Sequence, residues 1–276
     1  LQVLKRVWRL VAADARHFQI GALAILLAIN FSFIDFGARP LASACALGAC
    51  LGAQILCARL AKTPLDLRSP LITGLSLSLL LRAEEPWLRA LAGFIAIASK
   101  FLLRIDGKHV FNPAGFAIVV LLLLRAGVWI SPGQWGASLW FAAFVGFLAI
   151  VVLQAARRAD IAFYFLASHA ALLFARALWL GDPAAIPIHQ MQSGSLLIFA
   201  FFMISDPRTS PDSAFGRFVF AFAVAALAHE LAFFQQMRPA LYLALIALSP
   251  AIPLIDRMIR APRFAWRAPA LKGASS

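Results

Sequence analysis

Ten apolar runs, separated by short clusters of charged residues, glycine and proline, fall at roughly 18–34, 40–60, 70–82, 87–103, 113–130, 135–154, 161–180, 193–205, 214–234 and 239–255. Eight of them reach the roughly 17–25 residues a helix needs to cross a hydrocarbon core about 30 Å thick. The third and eighth do not. The eighth, inside SGSLLIFAFFMISDPRTSP at 193–211, stops after thirteen residues on Asp206 and Pro207. The third, inside PLITGLSLSLLLRAEEP at 70–86, is interrupted by Glu84, Glu85 and Pro86. Both are too apolar for surface loops and too short to span, so they read as broken membrane helices whose missing length is buried against protein. Each is third in a group of five, and an odd number of spans per group turns the second group upside down. The pattern predicts an all-α integral membrane protein of ten transmembrane helices, a 5+5 inverted repeat with its site where the two broken helices meet. The predicted divisions are an N-terminal segment at 1–17, repeats at 18–130 and 135–255, and a basic tail at 256–276.

Composition agrees with that reading. The chain is 62% hydrophobic and 13% charged, with a mean hydropathy of +0.85, outside the range of soluble domains. A net charge of +13 would suggest nucleic acid in a soluble chain. Here the cations flank apolar runs, and nineteen of the 25 Lys and Arg fall on one side if the spans alternate from a cytoplasmic N-terminus. That places both termini in the cytoplasm and gives no reason to expect a nucleic-acid partner. The other six are Arg39, Arg82, Arg89, Arg125, Arg176 and Arg238. Treating the third run as a re-entrant loop would move Lys100, Arg104 and Lys108 outside and weaken the bias. Cys45, Cys50 and Cys57 share one apolar run without a CxxC and read as small core thiols. Ala42-Ser43-Ala44 lies too far along for a signal cleavage site, so the first run is kept as a helix. The tail, with five basic residues among Pro262, Pro269 and small residues, reads as a disordered cytoplasmic extension that touches anionic headgroups.

Candidate chemistry is sparse. Asn112-Pro113 fits the first turn of a helix, asparagine as cap and proline at the first position. The exposed helix start would suit a ring carbonyl, a phosphate or a carboxylate, although a capped helix without ligand explains Asn112 equally well. Asp206 is either a solvated loop carboxylate near Arg208 or, at the end of a half-helix, a buried group needing Arg208 or Thr209 as partner. His169 reads as a packing histidine, a haem shared with His229 being the lesser reading, and Glu230 as a snorkelling carboxylate. No nucleotide-binding glycine loop, HExxH or nucleophile elbow is present, so the chain carries no self-contained catalytic motif and any redox chemistry would belong to a bound cofactor.

Three segments resemble a known family. Phe111-Asn112-Pro113-Ala114 is similar to the FNPA segment of the NqrB/RnfD family, membrane subunits of the sodium-pumping NADH:quinone oxidoreductase and of the Rnf electron-transport complex. Phe201-Phe202-Met203-Ile204-Ser205-Asp206-Pro207, followed by Thr209, resembles that family's FFMATDPVT, and Leu71-Ile72-Thr73-Gly74-Leu75 resembles the start of its first broken helix. The resemblance implies flavin-dependent electron transport beside other membrane redox subunits in the lipid bilayer of a bacterial inner membrane, with a link to ion movement. It implies a cofactor, FMN or riboflavin, near Thr73, Gly74, Asn112, Pro113, Asp206 and Thr209. Members with covalent FMN use a threonine in S-G-A-T. This chain has only Trp135-Gly136-Ala137-Ser138, so Ser138 is the one attachment candidate and non-covalent flavin is favoured. A stand-alone channel or transporter for a small solute on the same inverted-repeat fold is the alternative, and an anchor that organises redox partners is a third.

Overall fold

In the computed structural model, residues 14–32, 39–131, 144–148, 150 and 158–264 are described. Helices carry most of them: α1 (Ala15–Ser32), α2 (Pro40–Leu60), α3 (Arg68–Leu80), α4 (Pro86–Leu102), α5 (Pro113–Leu123), α6 (Ala159–Leu180), α7 (Ala185–Met191), α8 (Gly194–Ile198), α9 (Ala214–Phe233), α10 (Ala240–Leu248) and α11 (Ile252–Met258). Among the described residues, four stretches are long and apolar enough to cross a membrane: α2, α6, α9 and the run Ala240–Met258 that joins α10 to α11. Proline at the first turn opens α2, α4 and α5, where a missing N–H leaves nothing unsatisfied. Gly181, at φ 75°, supplies the left-handed cap that ends α6.

Close approach of backbones holds the bundle. The most extensive pairing is α2 against α4, built on Ala46, Cys50 and Ala53 facing Ala92, Gly93 and Ala96. A Cβ at Gly93 would lie 2.9 Å from the Ala46 carbonyl oxygen, so only glycine allows this contact. Between apolar helices in lipid such packing replaces the hydrophobic effect as the source of stability. A second aromatic centre, Phe165, Phe199 and Tyr242, joins α6, the second broken helix and α10.

Two short helices stand where the sequence predicts the broken ones. In α3 every residue from Thr73 to Leu80 is buried. The chain then goes extended, and Leu81–Ala83 (β1) pairs antiparallel with Val128–Ile130 (β4). In the second, α8 widens into a π-helical turn, Phe199–Met203, before the chain leaves at Asp206. The fifth run differs from expectation: it is helical only over the eleven residues of α5, not over 113–130. Arg125 and Gly127 take positive φ, the chain reverses, and Val128–Ile130 adds to β1. A long-range strand pairing has overridden a locally apolar pattern. Most of the sixth run lies outside the described residues.

The segments that the charge pattern assigns to one side meet at one end of the bundle. Arg16 and Arg68 lock onto Asp14 and Asp66 at the starts of α1 and α3. A hairpin, β2 (Arg104–Ile105) and β3 (Lys108–His109), turns on Asp106-Gly107, with φ of 51° and 81° as a tight two-residue turn requires. Its Lys108 reaches Asp212 at 2.7 Å and Asp256 at 2.9 Å. Arg217 of α9 binds Asp160 of α6, Nε to Oδ2 at 2.8 Å. The first part of the tail is docked rather than a disordered extension: α11 continues through Met258, and Arg263 donates to the Asp106 carbonyl at 3.0 Å.

The four-residue cluster has a testable pH dependence. Burial would raise the carboxyls of Asp14 and Asp66, but hydrogen bonds and charges from Arg16 and Arg68 outweigh it and hold both below the ordinary 3.8. A depressed folded pKa gives stability that is present above the unfolded value and is lost as pH falls through the folded one. Asp66→Asn is therefore expected to cost about 1–2 kcal/mol near neutrality. The melting curves of variant and wild type should draw together below about pH 4; a gap that stays constant down to pH 3 would count against the ion pairs.

Candidate functional site

A polar cavity of about 320 Å³ lies at the charged end, where the start of α3, the end of α4, the start of α5 and the exit of the second broken helix converge. Thr73, Asn112, Pro113 and Asp206 line it together, although they come from three separate stretches of sequence.

Asn112 shapes this wall. Its Oδ1 accepts from the Gly115 amide at 3.1 Å, capping α5, and its Nδ2 donates to the Met203 carbonyl at 3.4 Å, tying α5 to the π turn. The capping role expected from the sequence is thus present, joined to a second contact that the sequence does not reveal. Met203 is available because the π turn offsets the carbonyl ladder at its end, and the Asp206 amide donates to the same oxygen at 3.3 Å. Asp206 accepts from the Arg208 amide through its side chain, 2.9 Å, and from the Thr209 amide through its carbonyl, 3.1 Å. The partners expected for it are therefore met through their backbone.

Gly74 and Thr209 do not join the cavity. A Cβ on Gly74 would lie 2.8 Å from Leu47 Cδ2, so this glycine serves the approach of α3 to α2. Thr209 is buried, and its hydroxyl has no hydrogen-bond partner among the described residues. Ser138 lies outside the described residues. His169 stacks on Phe165 with ring centroids 5.6 Å apart and His229 packs on Phe233 at 4.6 Å, but the Nδ1 of neither has a hydrogen-bond partner among the described residues, and Glu230 is exposed.

Two lining residues escape the sequence reading. Lys100 is 5% exposed, and its ammonium donates to Gln54 Oε1 at 3.2 Å and Ser69 Oγ at 2.8 Å, with no ion pair to a carboxylate among the described residues. It counts in the sequence only as a topological charge. Its position seven residues after Gly93 and four after Ala96, on the small-residue stripe facing α2, is the signal that it is buried. His109 is also buried, and its Nδ1 has no partner among the described residues. Burial first, then the charges of Lys100, Arg208 and Arg104, push its pKa down to about 3, so it is a neutral imidazole at physiological pH. With Arg16, Arg104 and Arg208 also on the wall, against Asp66 and Asp206, the cavity suits a ligand rich in acceptors or carrying negative charge.

Fold and cavity together define a helical membrane protein with a polar, cation-lined chamber at the junction of two broken helices. Sequence comparison gives the family: the model of the NQR2, RnfD, RnfE family matches residues 123–265, more than half the chain, and the chain belongs to that family. Its relatives include two proteins that are each named as a subunit of an ion-translocating oxidoreductase complex. The one from Stutzerimonas stutzeri is 36% identical over 73 residues, which is 26% of this chain and 21% of that protein. The one from Pseudomonas paraeruginosa is 28% identical over 258 residues, 72% of this chain and 75% of that protein. The family match includes Asp206 and Thr209, while Thr73, Gly74, Asn112 and Pro113 precede it.

Proposed function

We propose that the chain is an RnfD-like membrane subunit that holds a flavin, FMN or riboflavin, non-covalently in the cavity between the broken helices and takes part in electron transport with other membrane redox subunits, coupled to ion translocation. The observation that carries this is the cavity itself. It joins Thr73, Asn112, Pro113 and Asp206, and its volume of about 320 Å³ falls in the range of small-molecule sites.

The residues fit such a group. Among the described residues Lys100 has only neutral oxygens as partners and the Nδ1 of His109 has none, so the wall offers donors and positive potential to ring carbonyls and nitrogens. Phe101 and Phe202 add apolar surface. A flavin supplies the one- and two-electron chemistry; the chain positions it and sets its electrostatics. A buried ammonium beside a centre that gains negative charge favours the reduced form, because the charge is fixed in place beforehand.

The same reading takes the charged end as cytoplasmic, with both termini there, in a bacterial inner membrane. It keeps the division into repeats at 18–130 and 135–255, with one broken helix in each. Six segments of the basic side are linked at that end by ion pairs and hydrogen bonds, which supports this placement.

Absorption and fluorescence of the detergent-purified chain, co-expressed with a flavin transferase, before and after acid precipitation, test the proposal. Flavin is expected in the supernatant. Flavin that stays in the pellet and disappears in Ser138→Ala would mean covalent attachment, against the site proposed here. Folded protein without flavin would overturn the redox reading, and solute flux into liposomes would then be the property to measure.

A further inference from the structure

A second pocket, of about 250 Å³, lies at the same end of the bundle, between the β2–β3 hairpin, the loop at 208–212 and the segment that follows α11. Its lining holds Lys108, Arg208, Arg257, Arg260 and Arg263 against Asp106, Asp212 and Asp256, an excess of two cations. The carboxylates are already committed. Lys108 bridges Asp212 and Asp256, the Asp212 amide donates to Asp256 at 2.8 Å, and Arg257 reaches Asp106 at 3.3 Å. Arg208, Arg260 and Arg263 make no ion pair with a carboxylate among the described residues, and all three are exposed. Three guanidinium groups thus converge on one concavity with unused donors, the arrangement that matches phosphate oxygens.

Its depth points to the source of the phosphate. The candidate span Ala240–Met258 ends two residues before Arg260. On its last turns Leu254 is 59% exposed and Met258 75%. Apolar side chains therefore face outward beside the pocket at the point where the span ends, and the arginines follow at headgroup level. Acyl chains against Leu254 and Met258, with a phosphate among the arginines, satisfy both surfaces at once.

We propose that this pocket binds the phosphate of an anionic phospholipid, with Arg208, Arg260 and Arg263 as its ligands and the β2–β3 hairpin as its floor. The site depends on the bilayer placement and not on the flavin reading. Occupancy would brace the hairpin against α11, and the hairpin carries His109, which lines both this pocket and the larger cavity.

The test is thermal unfolding of the delipidated full chain in detergent, titrated with phosphatidylglycerol or phosphatidylcholine. Phosphatidylglycerol is expected to raise the midpoint well above the phosphatidylcholine curve, and Arg260→Gln/Arg263→Gln to remove at least half of that increment. Arg59→Gln/Lys62→Gln, two exposed cations at the same end, should retain it. An increment that survives in Arg260→Gln/Arg263→Gln, or is lost equally in the control, overturns the site. Inorganic phosphate giving the same midpoint shift without lipid would overturn the headgroup as its source. If the double variant does not fold, native mass spectrometry of the wild type in an equal mixture of the two lipids decides: preferential retention of phosphatidylglycerol is expected, and equal retention overturns the proposal.

Discussion

Replacing Lys100 by methionine is expected to leave the protein at least as stable as wild type and to strip it of flavin. The ammonium is buried, and its partners are the neutral oxygens of Gln54 and Ser69. Withdrawing such a charge from water costs several kcal/mol that two neutral hydrogen bonds only partly return. Methionine fills a similar volume without that cost, so the melting temperature should hold or rise. Flavin retention should fall at least about tenfold, equivalent to about 1.4 kcal/mol of binding, because the buried ammonium on the cavity wall is gone. Flavin-to-protein ratio and thermal unfolding, measured on the same preparation, separate the two effects. A variant that melts far lower yet keeps its flavin would show Lys100 to be a strut between α2 and α3. Groups kept at a cost in stability are where function is expected to reside.

The outline of the fold is legible along the chain because local signals carry it. Lengths of apolar runs mark both broken helices, since a helix cannot cross the bilayer with ten or thirteen residues whatever it packs against. Prolines mark the starts of α2, α4 and α5 through a constraint that acts within one turn. Features decided at long range are not legible. The strand at Val128–Ile130 exists because Leu81–Ala83 lies beside it, and nothing within 113–130 except Arg125 and Gly127 hints at the reversal. The cavity follows the same division. Motif residues Asn112 and Asp206 stand out by their setting beside proline, whereas Lys100 and His109 gain their importance only when α4 and the hairpin fold against α2 and α3. Gly74, within a motif segment, proves to be a packing residue, because a tight helix contact and a ligand contact ask for the same small side chain.

Asn112 offers the sharpest separation of support from function, since its two polar atoms serve different elements. Asn112→Ala removes the cap on α5 and the tie to Met203 together, leaving the Gly115 amide without its acceptor. A lost cap costs about 1 kcal/mol and up to about 2 in stronger cases. With the Met203 contact also gone, a loss of roughly 2 kcal/mol is expected in equilibrium unfolding. Asn112→Asp should behave differently. Aspartate caps as well as asparagine, so α5 keeps its first turn. Its second oxygen, however, now faces the Met203 carbonyl as an acceptor where a donor stood 3.4 Å away, and the cavity gains a negative charge beside Asp206. Like groups on the two sides of that contact should push the π turn and α5 apart, so that flavin retention falls about as far as in Asn112→Ala while stability falls less. Stability lost in Asn112→Ala but kept in Asn112→Asp, with flavin retained in both, would confine Asn112 to the cap and move the binding surface toward Lys100 and Thr73.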